Sequence, residues 1–369
     1  MEKAERFIPV AEPILTGNEL AYVSDCITSG WVSSIGKYVT RFEQDFASFC
    51  GVKYCVATSS GTTALHLALA VLGIGFGNEV IVPSLTFIAT ANSVVYTGAR
   101  PVFADSEPRT WNLDPTDVAR KITPRTKAII PVHLYGHPAD MDAIDSIARE
   151  HNLFVIEDAA EAHGAEYKGR RVGAIGHIGA FSFYGNKIIT TGEGGMLTTN
   201  DGDLAEKARQ LRDHAMSSTR RYWHPTIGYN YRLTNIQAAL GVAQMERVEE
   251  FIARKRTIAA LYNELLNGTH GVSLPVEEAW AKNVYWMYSI LVGDSARVSR
   301  DDLMAYLNTR GIDSRPFFFP IHTMPSYATG QSLPVTERLA RQGINLPSSI
   351  ALTDDEIRRI VYAIHEVNR

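Results

Sequence analysis

From residue 52 onward, short apolar runs alternate with stretches of helical period. Lys53 to Thr58, Glu79 to Pro83, Pro101 to Asp105, Lys127 to Leu134 and Leu153 to Asp158 read as strands. The segments between them open at Ser59, Thr86, Asp114 and Met141 and read as helices. Strands that are apolar along their whole length are buried on both faces, and helices between successive strands imply a mainly parallel sheet. Two further apolar runs, Gly179 to Phe183 and Gly194 to Thr199, bring the strand count of this α/β region to seven.

The flanking segments differ. A turn-rich stretch, Ser29 to Gly36, precedes an amphipathic helix that carries Phe42, Phe46 and Phe49 at helical spacing. After Thr199 the chain is polar and helical to about Arg221. One long helix is predicted from about Thr234 to Leu266, with a domain boundary inside it near residue 250. The remainder mixes strands (Trp286 to Val292, Asp313 to Pro316) with helices (Arg300 to Thr309, Thr353 to Val367). The expected organisation is a large domain, residues 1–250, and a smaller α+β domain, residues 251–369.

Composition narrows the possible partners. A formal net charge of -4 offers no basic field for nucleic acid. Cys26, Cys50 and Cys55 are odd in number and lack metal-type spacing, so no metal site is expected and a reducing, cytoplasmic compartment is. Met1 to Arg6 lacks the apolar core of a secretory signal. The longest apolar run, Ala64 to Gly77, carries His66 and is too short to span a bilayer, so it reads as a buried core helix with no membrane partner.

Candidate chemistry gathers at the strand ends. Ligands in such sheets bind beyond the carboxyl ends of strands. That rule brings together Ser59-Ser-Gly-Thr-Thr63, Asp158 and the loop around Lys187. Lys187 stands on a segment punctuated by Gly185, Gly192, Gly194 and Gly195, with no charged neighbour until Glu193. A partly desolvated lysine has a lowered pKa and can form a Schiff base. Ser59 to Thr63 opens a helix, where free N–H groups favour a phosphate, although serine and threonine also serve there as plain caps. Asp158 ends an otherwise apolar strand and is either a cap or a functional carboxylate. On the residues alone, Phe87 and Trp31 are packing candidates and Asn230 a turn residue.

Ser182, Asn186-Lys187 and Thr191-Gly-Glu-Gly-Gly195 resemble the cofactor-lysine loop of the nucleotide-sugar aminotransferases that use pyridoxal phosphate (PLP), of the DegT/DnrJ/EryC1/StrS type. The resemblance extends over nearly the whole chain and implies a PLP fold-type I architecture. It implies that Lys187 carries the cofactor, Asp158 meets its pyridine nitrogen and Glu161 lies near its ring hydroxyl. Gly61, Thr62 and Ser182 would hold the phosphate, and Phe87 would stack on the ring. Asn230 would reach the phosphate in the partner subunit of a homodimer or of a tetramer. Arg232 would brace that loop or the amino donor's carboxylate.

Softer matches, Trp31, Arg221, Tyr222, Arg315 and His322, would lie near the sugar nucleotide. Tyr184-Gly-Asn186, Arg221-Tyr-Trp-His-Pro225 and His133-Leu-Tyr-Gly136 fit the subgroup that aminates GDP-4-keto-6-deoxymannose at C4 with glutamate, for surface polysaccharide. A dTDP- or UDP-linked sugar is the alternative substrate.

Other classes fit less well. PLP-dependent sugar dehydratases on this fold replace the lysine by histidine, and Lys187 argues against them. Gly73-Ile-Gly-Phe-Gly77 follows a helix and precedes a strand, the reverse of a dinucleotide fingerprint. The complete set of Asp158, Ser182 and Lys187 argues against a non-catalytic PLP-binding regulator.

Overall fold

A computed structural model describes residues 6–368 of the chain. Its strands run β1 (Tyr54–Thr58), β2 (Glu79–Pro83), β3 (Arg100–Ala104), β4 (Thr126–Ile129), β5 (Phe154–Asp158), β6 (Glu166–Tyr167), β7 (Arg170–Arg171), β8 (Ile178–Ser182) and β9 (Gly195–Thr199). Seven of them form one sheet in the order β1-β9-β8-β5-β4-β2-β3. Within it only β9 is antiparallel, to both β1 and β8. β6 and β7 are a hairpin outside that sheet.

Helices cover both faces. They are α1 (Glu19–Ser29), α2 (Lys37–Cys50), α3 (Gly61–Val71), α4 (Ala89–Tyr96), α5 (Pro115–Arg120), α6 (Met141–Glu150), α7 (Gly202–Arg212) and α8 (Asn235–Met245). Successive strand residues enter opposite cores, as the two-residue period of a strand requires. Val56, Ala180 and Leu197 pack with α3 and α7. Their neighbours Ala57, Phe181 and Met196 pack with Phe42 and Phe46 of α2 and Ala238 of α8. Towards the other edge, Ile81, Ile129 and Val155 meet Val118 of α5 and Ile144 of α6.

The predicted single helix over 234–266 is two helices. α8 ends at Met245, and α9 (Val248–Leu266) starts after Arg247, whose φ is -123°. Neither glycine nor proline marks this break. Contacts with the N-terminal segment make it: Glu246 accepts from Asn18, Tyr22 and Arg41, and Arg247 reaches Thr16. Along α9 the packing then changes hands. Val248, Phe251 and Ile252 belong to the core of the large sheet. Ile258, Tyr262 and Leu266 belong to the core of a second unit.

That unit holds β10 (Val272–Ser273), β11 (Ala281–Lys282), β12 (Tyr288–Val292), β13 (Arg315–Pro316) and β14 (Gly343–Leu346). Four strands form an antiparallel sheet in the order β10-β12-β14-β13, while β11 joins the β6–β7 hairpin. The helices α10 (Arg300–Thr309), α11 (Pro334–Gln342) and α12 (Asp354–Asn368) complete it. The sequence pattern did not reveal α1, α11 or β14.

Candidate active site

β5 and β8 are parallel neighbours, with Asp158 paired to Ala180, so their carboxyl ends lie side by side. The Asp158 carboxylate is 5% exposed. It accepts the Thr90 hydroxyl on Oδ2 at 2.7 Å and the Ala160 amide on Oδ1 at 3.2 Å. Burial raises its pKa, and these two donors and the Lys187 charge oppose that rise.

Lys187 lies in the loop between β8 and β9. The Lys187 amide donates to the Tyr184 carbonyl at 2.9 Å, and Gly192 takes φ 79° where the chain turns back. Burial lowers the lysine's pKa, while Glu161 and Asp158 pull it back up. A lowered amine pKa near two acids is what a lysine needs to act as nucleophile and base. The neighbouring Asn186 leaves its buried Oδ1 without a partner.

α3 points its N-terminus at the same place. Ser60 and Thr63 form a reciprocal capping box, and Gly61 and Thr62 head the helix, where backbone N–H groups have no intrahelical acceptor. Gly61 crosses Ser182 closely: a Cβ at Gly61 would lie 2.7 Å from that of Ser182. Only glycine lets the helix start come so near the serine. A helix N-terminus with a hydroxyl beside it suits a phosphate, and a buried carboxylate suits a protonated pyridine nitrogen. The residues present therefore fit PLP.

Glu161 is buried, and its Oε2 accepts the Tyr135 amide at 2.8 Å. Burial raises its pKa to about 7, against the pull of the Lys187 charge. Tyr135 takes φ 52°, a left-handed conformation rare for a bulky residue. It persists where several contacts hold it. The Tyr135 hydroxyl accepts the Phe318 amide at 3.2 Å, and the ring stacks near Phe318 and Trp286. Glu157, one residue before Asp158, points the other way. It accepts His133 Nε2 and the amides of Gly173, Ile175 and Gly176. His133 Nδ1 accepts the Ala139 amide, so Nε2 carries the proton that it donates to Glu157.

With this geometry in place, comparison with known proteins decides the family. The model of the DegT/DnrJ/EryC1/StrS aminotransferase family matches residues 13–365. The chain belongs to that family. GDP-perosamine synthase of Caulobacter vibrioides is 51% identical over 363 residues, covering 98% of each chain. GDP-perosamine synthase of Escherichia coli O157:H7 is 48% identical over 362 residues, again covering 98% of each. Among solved structures, Streptomyces venezuelae DesV, in complex with a ketimine intermediate, superposes with a TM-score of 0.92 at 39% identity over 98% of each chain. The fold is thus that of the PLP-dependent aminotransferases, and the protein is a PLP-dependent sugar aminotransferase.

In this family member the remaining predicted residues fall into two groups. Phe87 lies in the loop before α4 rather than in the helix, and its ring is 57% exposed with one edge on Phe318. It is thus open to a ligand. Trp31, Arg221, Tyr222, Asn230 and Arg315 lie on the surface. Arg221 packs over Tyr222, and Asn230 accepts from Arg232, which pairs with Asp213. Among the described residues, no hydrogen bond or ring contact joins these five to Asp158, Glu161, Ser182 or Lys187 within one chain. His322 departs from the expected substrate contact. It is 2% exposed, with Nδ1 at Ser84 and Nε2 at Glu337, so neither nitrogen is open.

Three contributors had no site role assigned from the sequence, although His133 lies in a motif that the resemblance quoted. Thr90 and His133 are separated from their partners by whole elements, and Trp286 comes from the segment just before β12. The four-residue spacing of Thr86 and Thr90, whose hydroxyls lie 3.3 Å apart, was the one local hint of a polar helix face.

Proposed function

We propose that this enzyme transfers the amino group of glutamate to C4 of GDP-4-keto-6-deoxymannose, giving GDP-perosamine for a surface polysaccharide such as O-antigen. One observation carries the choice of substrate: the near-full-length likeness to GDP-perosamine synthases, 51% identical for the Caulobacter enzyme. The reaction class draws support from the grouping of Asp158, Glu161, Ser182 and Lys187 around one helix N-terminus.

PLP bound there supplies an electron sink for the carbon that loses its proton. Lys187 anchors the cofactor and, once released, moves that proton as general base and then general acid. Burial favours the neutral amine needed for the first of these steps. Asp158, whose ionised form Thr90, Ala160 and the Lys187 charge favour against burial, would keep the pyridine nitrogen protonated. Gly61, Thr62 and Ser182 would hold the phosphate, Glu161 would lie near the ring hydroxyl, and Phe87 would offer its open ring as a stacking surface. On this reading Arg221, Tyr222, Trp31 and Arg315 would meet the sugar nucleotide, while His322 holds Ser84.

The same reading makes the enzyme a homodimer with shared sites, at work in the cytoplasm. Leu20 and Ile27 on α1, and Trp31 and Ile35 just after it, are exposed apolar side chains. Beside them a groove of about 560 Å³ is lined by Trp31, Ile35, Lys37 and Asn235. Asn230, exposed in one chain, would then reach the partner's phosphate site across a two-fold axis. The three cysteines are free and buried, which fits a reducing compartment. The substrate is tested by competing GDP-, dTDP- and UDP-linked 4-keto-6-deoxy sugars, scored by kcat/KM with glutamate. Preference for a dTDP or UDP sugar overturns the GDP assignment. The shared site is tested by mixing Lys187→Ala subunits with Asn230→Ala subunits: activity returns if Asn230 acts in trans and stays absent if it acts in cis.

A further inference from the structure

Lys187 has a neighbour that the reaction scheme leaves unused. Its Nζ lies 3.7 Å from the centroid of the Trp286 ring. Trp286 stands just before β12, 99 positions along the chain, and packs in the core of the large sheet. It is 5% exposed and held from several sides. Its Nε1 donates to the Asn186 carbonyl at 2.8 Å, so the indole grips the residue next to the lysine. Its own carbonyl accepts Lys255 Nζ at 2.8 Å, and Lys255 also donates to the Ser348 carbonyl at 2.5 Å. Tyr135 stacks nearby, with centroids 6.3 Å apart and planes 25° from parallel.

We propose that Trp286 is a positioning residue for Lys187: its indole face seats the lysine amine, favours its protonated form, and fixes its direction of approach. An aromatic face attracts an ammonium and is indifferent to a neutral amine. The buried site needs such a seat, because the lysine has to exist both as a neutral base and as a proton donor. Other charged groups act on it as well. Asp158 and Glu161 favour its charged form, and His163 lies close enough for the lysine's charge to act on its ring. Lys255 and Glu12 line the small cavity of about 20 Å³ behind Lys187, together with Asn186 and Thr190. Of these groups only Trp286 presents a face to the amine. Lys255 is spent on two carbonyls and holds the tryptophan backbone.

The proposal rests on Lys187 being the cofactor lysine, and the test separates the two. Holoenzyme is converted with glutamate, freed of it and mixed with 2-oxoglutarate. The rate at which lysine-bound visible absorbance returns is then followed across the pH range of an amine. Trp286→Leu is expected to move the apparent lysine pKa to the acid side by roughly half a unit or more. Trp286→Phe, which keeps an aromatic face, stays nearer wild type. If Trp286→Leu does not fold, Trp286→Met takes its place under the same criterion. Profiles that superimpose on wild type overturn the proposal, since a merely structural role changes amplitude or stability and not the pKa. Borohydride reduction and peptide mapping form the control. A cofactor linkage away from Lys187 overturns the underlying reading, whereas a linkage at Lys187 with an unmoved profile overturns only the role of Trp286.

Discussion

Thr90 donates its hydroxyl hydrogen to Oδ2 of Asp158 across 2.7 Å, from a helix 68 residues earlier in the chain. With the Ala160 amide on Oδ1, it meets the carboxylate on its other oxygen. Asp158→Asn is expected to retain PLP but lose about a hundredfold or more in kcat, because a neutral amide cannot hold the pyridine nitrogen protonated. Thr90→Val removes one hydrogen bond to a charged group, worth about 1.5–3 kcal/mol, and is expected to cost roughly tenfold. Steady-state kinetics on PLP-saturated protein checks both. Near wild-type turnover of Asp158→Asn would reduce Asp158 to a cap.

The residue next door has the opposite role. Glu157 is fully buried and accepts four hydrogen bonds. Burial alone would raise its pKa, but His133 and the amides outweigh it and hold it below 4.5. Its folded pKa is depressed, so its contribution to stability is fully present above the unfolded value near 4.5 and is lost as the pH falls through the folded pKa. Glu157→Gln turns an NH₂ group towards donors and is expected to cost about 3 kcal/mol or more at neutral pH. Turnover per folded molecule should change by less than about tenfold. Thermal melts at several pH values read this out, and the gap to wild type should narrow on acidification. A variant as stable as wild type at neutral pH would contradict the account.

Much of this site was legible because its parts sit at element ends. The apolar run Leu153 to Ile156 announces β5, and an acidic pair at its carboxyl end stands out against it. The glycines around Lys187 and the Ser59–Thr63 helix start are equally local. What stayed hidden depends on contacts between distant segments. The left-handed Tyr135 is set by Glu161 and Phe318, the closed ring of His322 by Ser84 and Glu337, and the break before α9 by Asn18, Tyr22 and Thr16. None of these leaves a periodic trace in the sequence.

Glu161 gives a pH signature of opposite sign. Its pKa rises from 4.5 to about 7, chiefly through burial. Between those values the folded protein binds the proton more tightly than the unfolded chain, so stability falls as pH rises through that window. Glu161→Gln cannot ionise, yet its carbonyl can still accept the Tyr135 amide. The variant is therefore expected to gain on wild type as pH rises from about 4.5 to about 8, by on the order of 3 kcal/mol at most. Adding Lys187→Ala to both proteins removes the charge that lowers the Glu161 pKa and should widen the swing. A difference in melting temperature that does not vary with pH would contradict the assignment.

The most direct test follows the amino nitrogen itself. The enzyme is incubated with glutamate carrying a heavy nitrogen label and with GDP-4-keto-6-deoxymannose, and the nucleotide sugar is read by mass spectrometry. The account predicts a GDP-amino sugar one mass unit heavier than the unlabelled product from wild-type enzyme, and none above background from Lys187→Ala. A labelled product from the Lys187→Ala protein at a wild-type rate, or an unchanged keto sugar with active wild-type enzyme, would contradict it.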